Sequence, residues 1–215
     1  LRIYLPLLLA LSTSSPFFEG EDTGLHSYRT KIFESLPLAG MPDHLNNWKH
    51  FVSLTEQLQK AGIIKAVKDL WWDVRPHPGF GTVEVRVCDL PINYKEIFAL
   101  VALIQALVVK IKKENPYPDI HTQILQSNKW QAARYGLEGV FVDPITIQKL
   151  TMRKAIENLC DLVEPTLISL GSEKYIKIIE KILKKGTGSN KQRELYSASN
   201  DFKHMIRLLK EQFYQ

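Results

Sequence analysis

Between Leu70 and Asp89 the chain reads LWWDVRPHPGFGTVEVRVCD, which gathers Asp73, Arg75, His77, Glu84, Arg86 and two tryptophans around a Pro/Gly turn. After the turn, apolar and polar residues alternate from Thr82 to Cys88, which predicts a strand. Val83, Val85 and Val87 then share one face, and Thr82, Glu84, Arg86 and Cys88 share the other. Glu84 and Arg86 fall on the same side with their Cα atoms about 7 Å apart. A carboxylate and a guanidinium at that spacing suit a metal ligand beside a phosphate-binding arginine. The same spacing suits an ion pair on the wet face of an antiparallel sheet, and the alternation does not choose. Arg75 adds a second guanidinium. Asp73 reads equally as an anchor for Arg75 or the turn and as a metal contact, and His77 as a turn residue.

Positioning that stretch requires a core, and 215 residues are enough for one. The composition is that of an ordinary globular chain, 45% hydrophobic and 24% charged. From Thr151 onward, 12 Lys and Arg stand against 8 Asp and Glu, so most of the net charge of +5 lies there. These basic residues recur with acids through helical patterns, which argues for a solvated helical surface and against a nucleic-acid stripe. Cys88 and Cys160 have no metal-type spacing and fit free thiols in a reducing, cytoplasmic setting. No stretch reaches the 18 apolar residues of a membrane span.

Leu1 to Ala10 suits either the end of a helix, with Pro6 forcing a start or a kink, or a buried strand, and the helix is preferred. Ser12 to Pro16 stops it, and Ser27 is placed to cap a short helix carrying Arg29. Asn47 to Ala61 is an amphipathic helix with Gly62 as its C-cap. Leu70–Trp72 is expected to be the strand that pairs with Thr82–Cys88. Tyr94 to Lys113 is a long helix, nearly all apolar from Ile97 to Val109 and so buried on most sides. Asn115-Pro116-Tyr117-Pro118 breaks it. A helix opens at Ser127 or Asn128 and ends at Gly136. Thr151 to Leu170 is amphipathic, with Pro165 expected to bend or split it. Another helix runs from Ser172 to Lys185, Gly186 to Asn190 is a flexible break, and a last helix spans about Asp201 to Phe213. Neither G-x-x-x-x-G-K-[ST] nor G-x-G-x-x-G occurs, so a nucleotide would bind by another mode.

Five stretches resemble a known family, the bacterial carboxylate–amine ligases related to glutamate–cysteine ligase of the second type. They are Leu9-Ala10-Leu11-Ser12-x-x-Ser15-Pro16-Phe17, Ser27-Tyr28-Arg29, Trp71-Trp72-Asp73-x-Arg75-Pro76, Gly81-Thr82-x-Glu84-x-Arg86 with Asp89, and Asn128-x-Trp130-x-Ala132-x-Arg134-Tyr135-Gly136. Departures from the family pattern are Ser14, where asparagine is usual, and Phe18, often tryptophan. Serine cannot reproduce the two-donor reach of an amide.

The resemblance implies an α+β fold: a curved antiparallel sheet like the catalytic domain of glutamine synthetase, incomplete in this chain and packed with several long helices. Residues 1–145 would be the C-terminal part of the catalytic domain and 146–215 a helical region packed on it. The N-terminal part of the fold, with further acidic ligands and strands, would be a partner, and a homodimer is expected. The implied reaction uses ATP and Mg²⁺ to join L-glutamate to L-cysteine through an acyl phosphate. Within it, Glu84 maps to a magnesium ligand and Arg86 to a catalytic arginine facing the phosphates. Arg75 and Arg29 are candidates for nucleotide or carboxylate contact. Asn128 and Arg134 would order a loop or line the site, while Trp130 reads first as plain core packing.

Two other readings stand beside this one. A catalytically silent homologue, or partner subunit, would keep the fold without completing the metal site; Ser14 and the absent N-terminal part motivate it. A guanidino- or amidine-transforming enzyme would need a cysteine paired with a histidine, and no histidine is clearly paired with Cys88.

Overall fold

A computed structural model of the chain describes residues 1–113 and 120–215. Its centre is α1 (Leu5–Ser12), every residue of which is buried. Pro6 lies in the first turn, where a missing N–H breaks no helical bond. Around α1 follow β1 (Phe17–Phe18), β2 (Glu21–Asp22), α2 (Tyr28–Glu34), β3 (Ala39–Gly40) and α3 (Trp48–Lys60). Next come β4 (Trp71–Trp72), β5 (Val74–His77), β6 (Thr82–Val85), α4 (Tyr94–Lys113) and α5 (Thr122–Tyr135). The chain continues through β7 (Val140–Val142), β8 (Lys149–Thr151), α6 (Met152–Ser169), α7 (Ile176–Lys185), α8 (Gly188–Ser199) and α9 (Phe202–Gln212).

The main core forms where α1 meets α4, α5, α6 and α7. A smaller one joins Phe51 of α3 to Ile64, Leu70 and Trp72. The caps follow the sequence: Ser27 and Asn47 accept N–H bonds from Thr30 and His50, and Gly62 takes up a left-handed turn at φ +69° just past α3. α4 spans the predicted residues. Among the described residues no helix is long and apolar enough to cross a membrane.

The expected sheet does not form. Among the described residues every strand belongs to a two-stranded pair, and none of these sheets is closed or curled. The pairs β1–β2, β5–β6 and β7–β8 are antiparallel, and β3–β4 is parallel. The chain is mostly helical, and the curved antiparallel sheet of glutamine-synthetase type is corrected accordingly. Asp73 shows the physical reason at the key corner. Its N–H donates to the Gly40 carbonyl at 2.8 Å, while its carbonyl accepts from the Arg86 N–H at 2.8 Å. One residue thus hands the backbone from β3 to the residue just past β6, and the β3–β4 ladder does not continue through it. Trp71–Trp72 therefore pairs with Ala39–Gly40, and Val74–His77 takes the expected place opposite Thr82–Val85.

Three helical boundaries also differ. α5 begins at Thr122, so Ser127 and Asn128 lie inside it; Asn128 spends its amide on β7 instead of capping. α6 passes through Pro165 without splitting, since a proline there removes only one hydrogen bond near the helix end. Gly186 to Asn190 is no flexible break: α8 begins at Gly188, Thr187 and Ser189 are buried, and the Thr187 N–H donates to Asn190 Oδ1 at 3.0 Å. The expected breaker at Asn115-Pro116-Tyr117-Pro118 lies outside the described residues.

Candidate active site

The β5–β6 register sets Arg75 directly opposite Glu84. Arg75 Nη2 donates to Glu84 Oε2 at 2.6 Å, and Arg86 Nη2 donates to Glu84 Oε1 at 2.6 Å. Each carboxylate oxygen therefore takes one guanidinium. Arg75 is buried, and its Nη1 also donates to the carbonyls of Val67, Lys68 and Leu70 at 3.1, 2.7 and 2.7 Å. That guanidinium organises the turn ahead of β4. Arg86 lies with its guanidinium carbon 4.9 Å from the Trp71 ring centre, a cation–π contact that leaves it facing the cleft.

Asp89, buried just past β6, gathers the other motif stretches. Its Oδ2 accepts from the Ser14 N–H at 2.9 Å and the Ser15 hydroxyl at 2.8 Å. Its Oδ1 accepts from the Ser27 hydroxyl at 3.0 Å and Arg29 Nη1 at 3.5 Å. Arg29 also donates to the Arg86 carbonyl at 3.2 Å and stacks 4.7 Å over Phe33. One carboxylate thus ties three serines, from two turns 12 residues apart, to the arginine of α2. Charge-assisted hydrogen bonds of this kind are the strong ones.

Lys129 is the residue that sequence reasoning passed over. Its Nζ, on α5, donates to Asp73 Oδ2 at 2.6 Å and lies 2.9 Å from Glu34 Oε1, with the lysine buried. The signal was present: Lys129 falls four residues from both Leu125 and Ala133, on a helix face where both are buried. A lysine on a buried face needs an acid. Burial raises the Asp73 carboxyl above its usual range against the pull of Lys129. At Glu34 burial also works upward, but Lys129 and Lys31 together outweigh it and hold the carboxyl low.

Arg29, Phe33, Glu34, Trp71, Asp73, Arg86 and Lys129 border one small cleft. It encloses about 10 Å³, room for one water at most. A larger anion would lie over its mouth, against Arg29 and Arg86. Glu84 does not border it and acts on it by holding Arg86.

The remaining predicted residues order loops. Asn128 Nδ2 donates to the Val142 carbonyl at 2.7 Å, and its Oδ1 accepts from the Val142 N–H at 2.8 Å, which uses both ends of the amide. Arg134 Nη1 donates to the Gly24 carbonyl at 2.6 Å, approaching where any side chain on Gly24 would collide with it. Trp130 is 43% exposed and meets Tyr135 edge-on, so it is not core packing. His77 stacks on Phe80 in the turn. Ser14 is braced by a second missed residue, Gln192 of α8, whose amide donates to the Ser14 carbonyl at 2.7 Å and its hydroxyl at 3.0 Å. Burial pushes the Cys88 thiol up to about 11 and Cys160 up to about 12, the opposite of an activated nucleophile.

The donor set fits phosphate better than magnesium. No group of three or more His, Cys, Asp or Glu among the described residues could hold a metal ion. Glu84 already carries two guanidinium groups, which would repel a divalent cation.

Comparison with known proteins agrees with the motif convergence. The chain is 44% identical over 200 residues to the "Putative glutamate–cysteine ligase 2" of Gloeobacter violaceus, covering 91% of this chain and 54% of that protein. The protein of the same name from Solibacter usitatus is 37% identical over 209 residues, covering 95% of this chain and 54% of the relative. That from Sorangium cellulosum is 36% identical over 215 residues, covering 98% and 57%. The chain thus spans about half the length of the curated relatives it matches. The signature of glutamate–cysteine ligase family 2 runs through residues 1–211, the arginine cleft and the α8 brace included, and the chain belongs to that family.

Proposed function

We propose that this chain forms part of an ATP-dependent carboxylate–amine ligase whose substrates are L-glutamate and L-cysteine. A carboxylate is a poor electrophile. In the proposed reaction a glutamate γ-carboxylate oxygen attacks the γ-phosphorus of ATP and ADP leaves. The amine nitrogen of cysteine then attacks the acyl carbon, the C–O bond to phosphate breaks with its electron pair leaving on the phosphate, and the nitrogen passes its proton to solvent.

The observation that carries this reading is the pair Arg29 and Arg86 at one cleft mouth, each laid against an aromatic ring. Positive groups preset over the transferring phosphoryl group are the main requirement of such chemistry. Glu84 would hold Arg86 in place, and Arg75 would hold Glu84. Magnesium would supply charge neutralisation on the phosphates. Acidic ligands for it would come from other parts of the longer protein, since both oxygens of Glu84 are taken by guanidinium groups. A second reading, a catalytically silent partner subunit, draws on the two guanidinium groups that occupy Glu84.

Release of ADP by the intact protein, measured with ATP, glutamate and cysteine together and with each amino acid omitted, separates the two. ADP release that depends on both amino acids supports the ligase. Its absence, with ATP still bound, supports the silent subunit.

A further inference from the structure

A separate hollow opens where α7 hands the chain to α8. It holds about 450 Å³, within the range of small-molecule sites, and shares no residue with the arginine cleft. Lys181 and Lys185 of α7, Lys191 and Glu194 of α8 and Glu96 of α4 face it.

The charges in this hollow do not balance. Lys191 Nζ lies 2.7 Å from Glu194 Oε1, so that pair is matched. Lys181 and Lys185 reach no carboxylate within ion-pair distance among the described residues. They stand one helical turn apart on the same side of α7, where like charges repel. An anion held between them removes that repulsion, and an ammonium group suits phosphate as a point charge. The start of α8 adds little to this. Its Thr187 N–H is taken by Asn190 Oδ1 at 3.0 Å, and its Ser189 N–H by the Thr13 carbonyl at 3.0 Å. The positive charge therefore comes from the lysines.

Glu96 is the acid that an entering anion would meet. Burial pushes its carboxyl up against the pull of Lys181, so it takes a proton more readily than an exposed glutamate. A single phosphate does not fill the hollow. Ile92, Asn93 and Gln212 line the remainder. The Asn93 amide is spent on the Gln212 carbonyl and the Lys95 N–H, at 3.3 and 2.9 Å. The side-chain amide of Gln212 is left to meet the hydroxyls of an organic group. We propose that the hollow between α4, α7, α8 and α9 binds a phosphomonoester, with the phosphate between Lys181 and Lys185 and a polar organic part toward Gln212. This assignment does not depend on the ligase reading.

Calorimetric titration of the intact protein with glycerol 3-phosphate, inorganic phosphate and glycerol tests it. Glycerol 3-phosphate is expected to bind at least three-fold more tightly than inorganic phosphate, and glycerol not at all. Lys181→Met and Lys185→Met, both at exposed positions, should each weaken glycerol 3-phosphate at least five-fold, with thermal melts to confirm folding. Lys184→Met removes the same charge from α7 outside the hollow, and Arg86→Ala alters the cleft; both should stay within two-fold of wild type. No binding of glycerol 3-phosphate, or inorganic phosphate bound as tightly, would overturn the proposal. So would an equal loss in Lys184→Met, which means unspecific attraction, or a loss confined to Arg86→Ala, which places the ligand in the cleft.

Discussion

Lys129 Nζ lies 2.6 Å from Asp73 Oδ2, and this contact pins α5 to the corner between β4 and β5. Asp73 is also where the backbone changes partners, since its carbonyl accepts from the N–H groups of Arg86 and Val87. The pair therefore fixes the point from which Arg86 leaves β6. A buried ion pair is weak evidence of stability by itself, but removal of one partner leaves a charge without compensation.

Lys129→Met should lower the free energy of unfolding by about 3–5 kcal/mol, as expected for one broken half of a buried pair. Urea denaturation followed by circular dichroism measures it. The double variant with Asp73→Asn should recover part of the loss. A single-variant cost within experimental scatter would show that the corner is held by other contacts.

Arg86→Ala should reduce kcat of the intact ligase by about 10²–10³-fold, the usual effect of losing one preset donor to a transition-state anion. Arg86→Lys restores the charge but not the planar fork that reaches Glu84 and stacks on Trp71, so it should recover only part of the rate. Steady-state ADP release, together with a thermal melt to confirm folding, is the measurement. Full activity in the alanine variant would remove Arg86 from the machinery.

Stability should fall as the solution is acidified from about pH 6.5 to pH 4, in part through His26. Burial, with Arg193 nearby, pushes this imidazole down to about 4, while its ordinary value is 6.5. Over that window the unfolded chain takes up a proton that the folded chain refuses, so the folded state loses ground as pH falls. His26 Nδ1 is 2.6 Å from the Ser189 hydroxyl, which ties the loop before α2 to the start of α8. His26→Asn should flatten the dependence in melts at pH 7, 5.5 and 4.5, and a slope identical to wild type would assign the acid sensitivity elsewhere.

Cys88 and Cys160 should resist iodoacetamide at pH 8 in the folded protein and react in urea. With thiols at about 11 and 12, the thiolate fraction at pH 8 is at least about 10²-fold below that of a free cysteine. Mass spectrometry of the intact chain counts the adducts. Rapid native labelling of Cys88 would reopen a nucleophilic role for it.

The residue pattern alone determined α4, through its long apolar run, and put Glu84 and Arg86 on one face, through the period of two. The resemblance to a known family, in turn, named the serine turns, Arg29 and Asp89 as parts of one motif set, though not that Asp89 joins them. What it could not determine is what each buried face meets. Lys129 and Asp73 are 56 residues apart, and Gln192 and Ser14 are 178 apart. One break in the sheet expected from resemblance lies at Asp73, whose backbone bonds to β3 on one side and to the residues just past β6 on the other. Periodicity is a local property of the chain and records which side of an element avoids water. The partner of a buried charge, and the extent of a ladder, depend on which distant segments arrive beside it, and only the packed tertiary structure decides that.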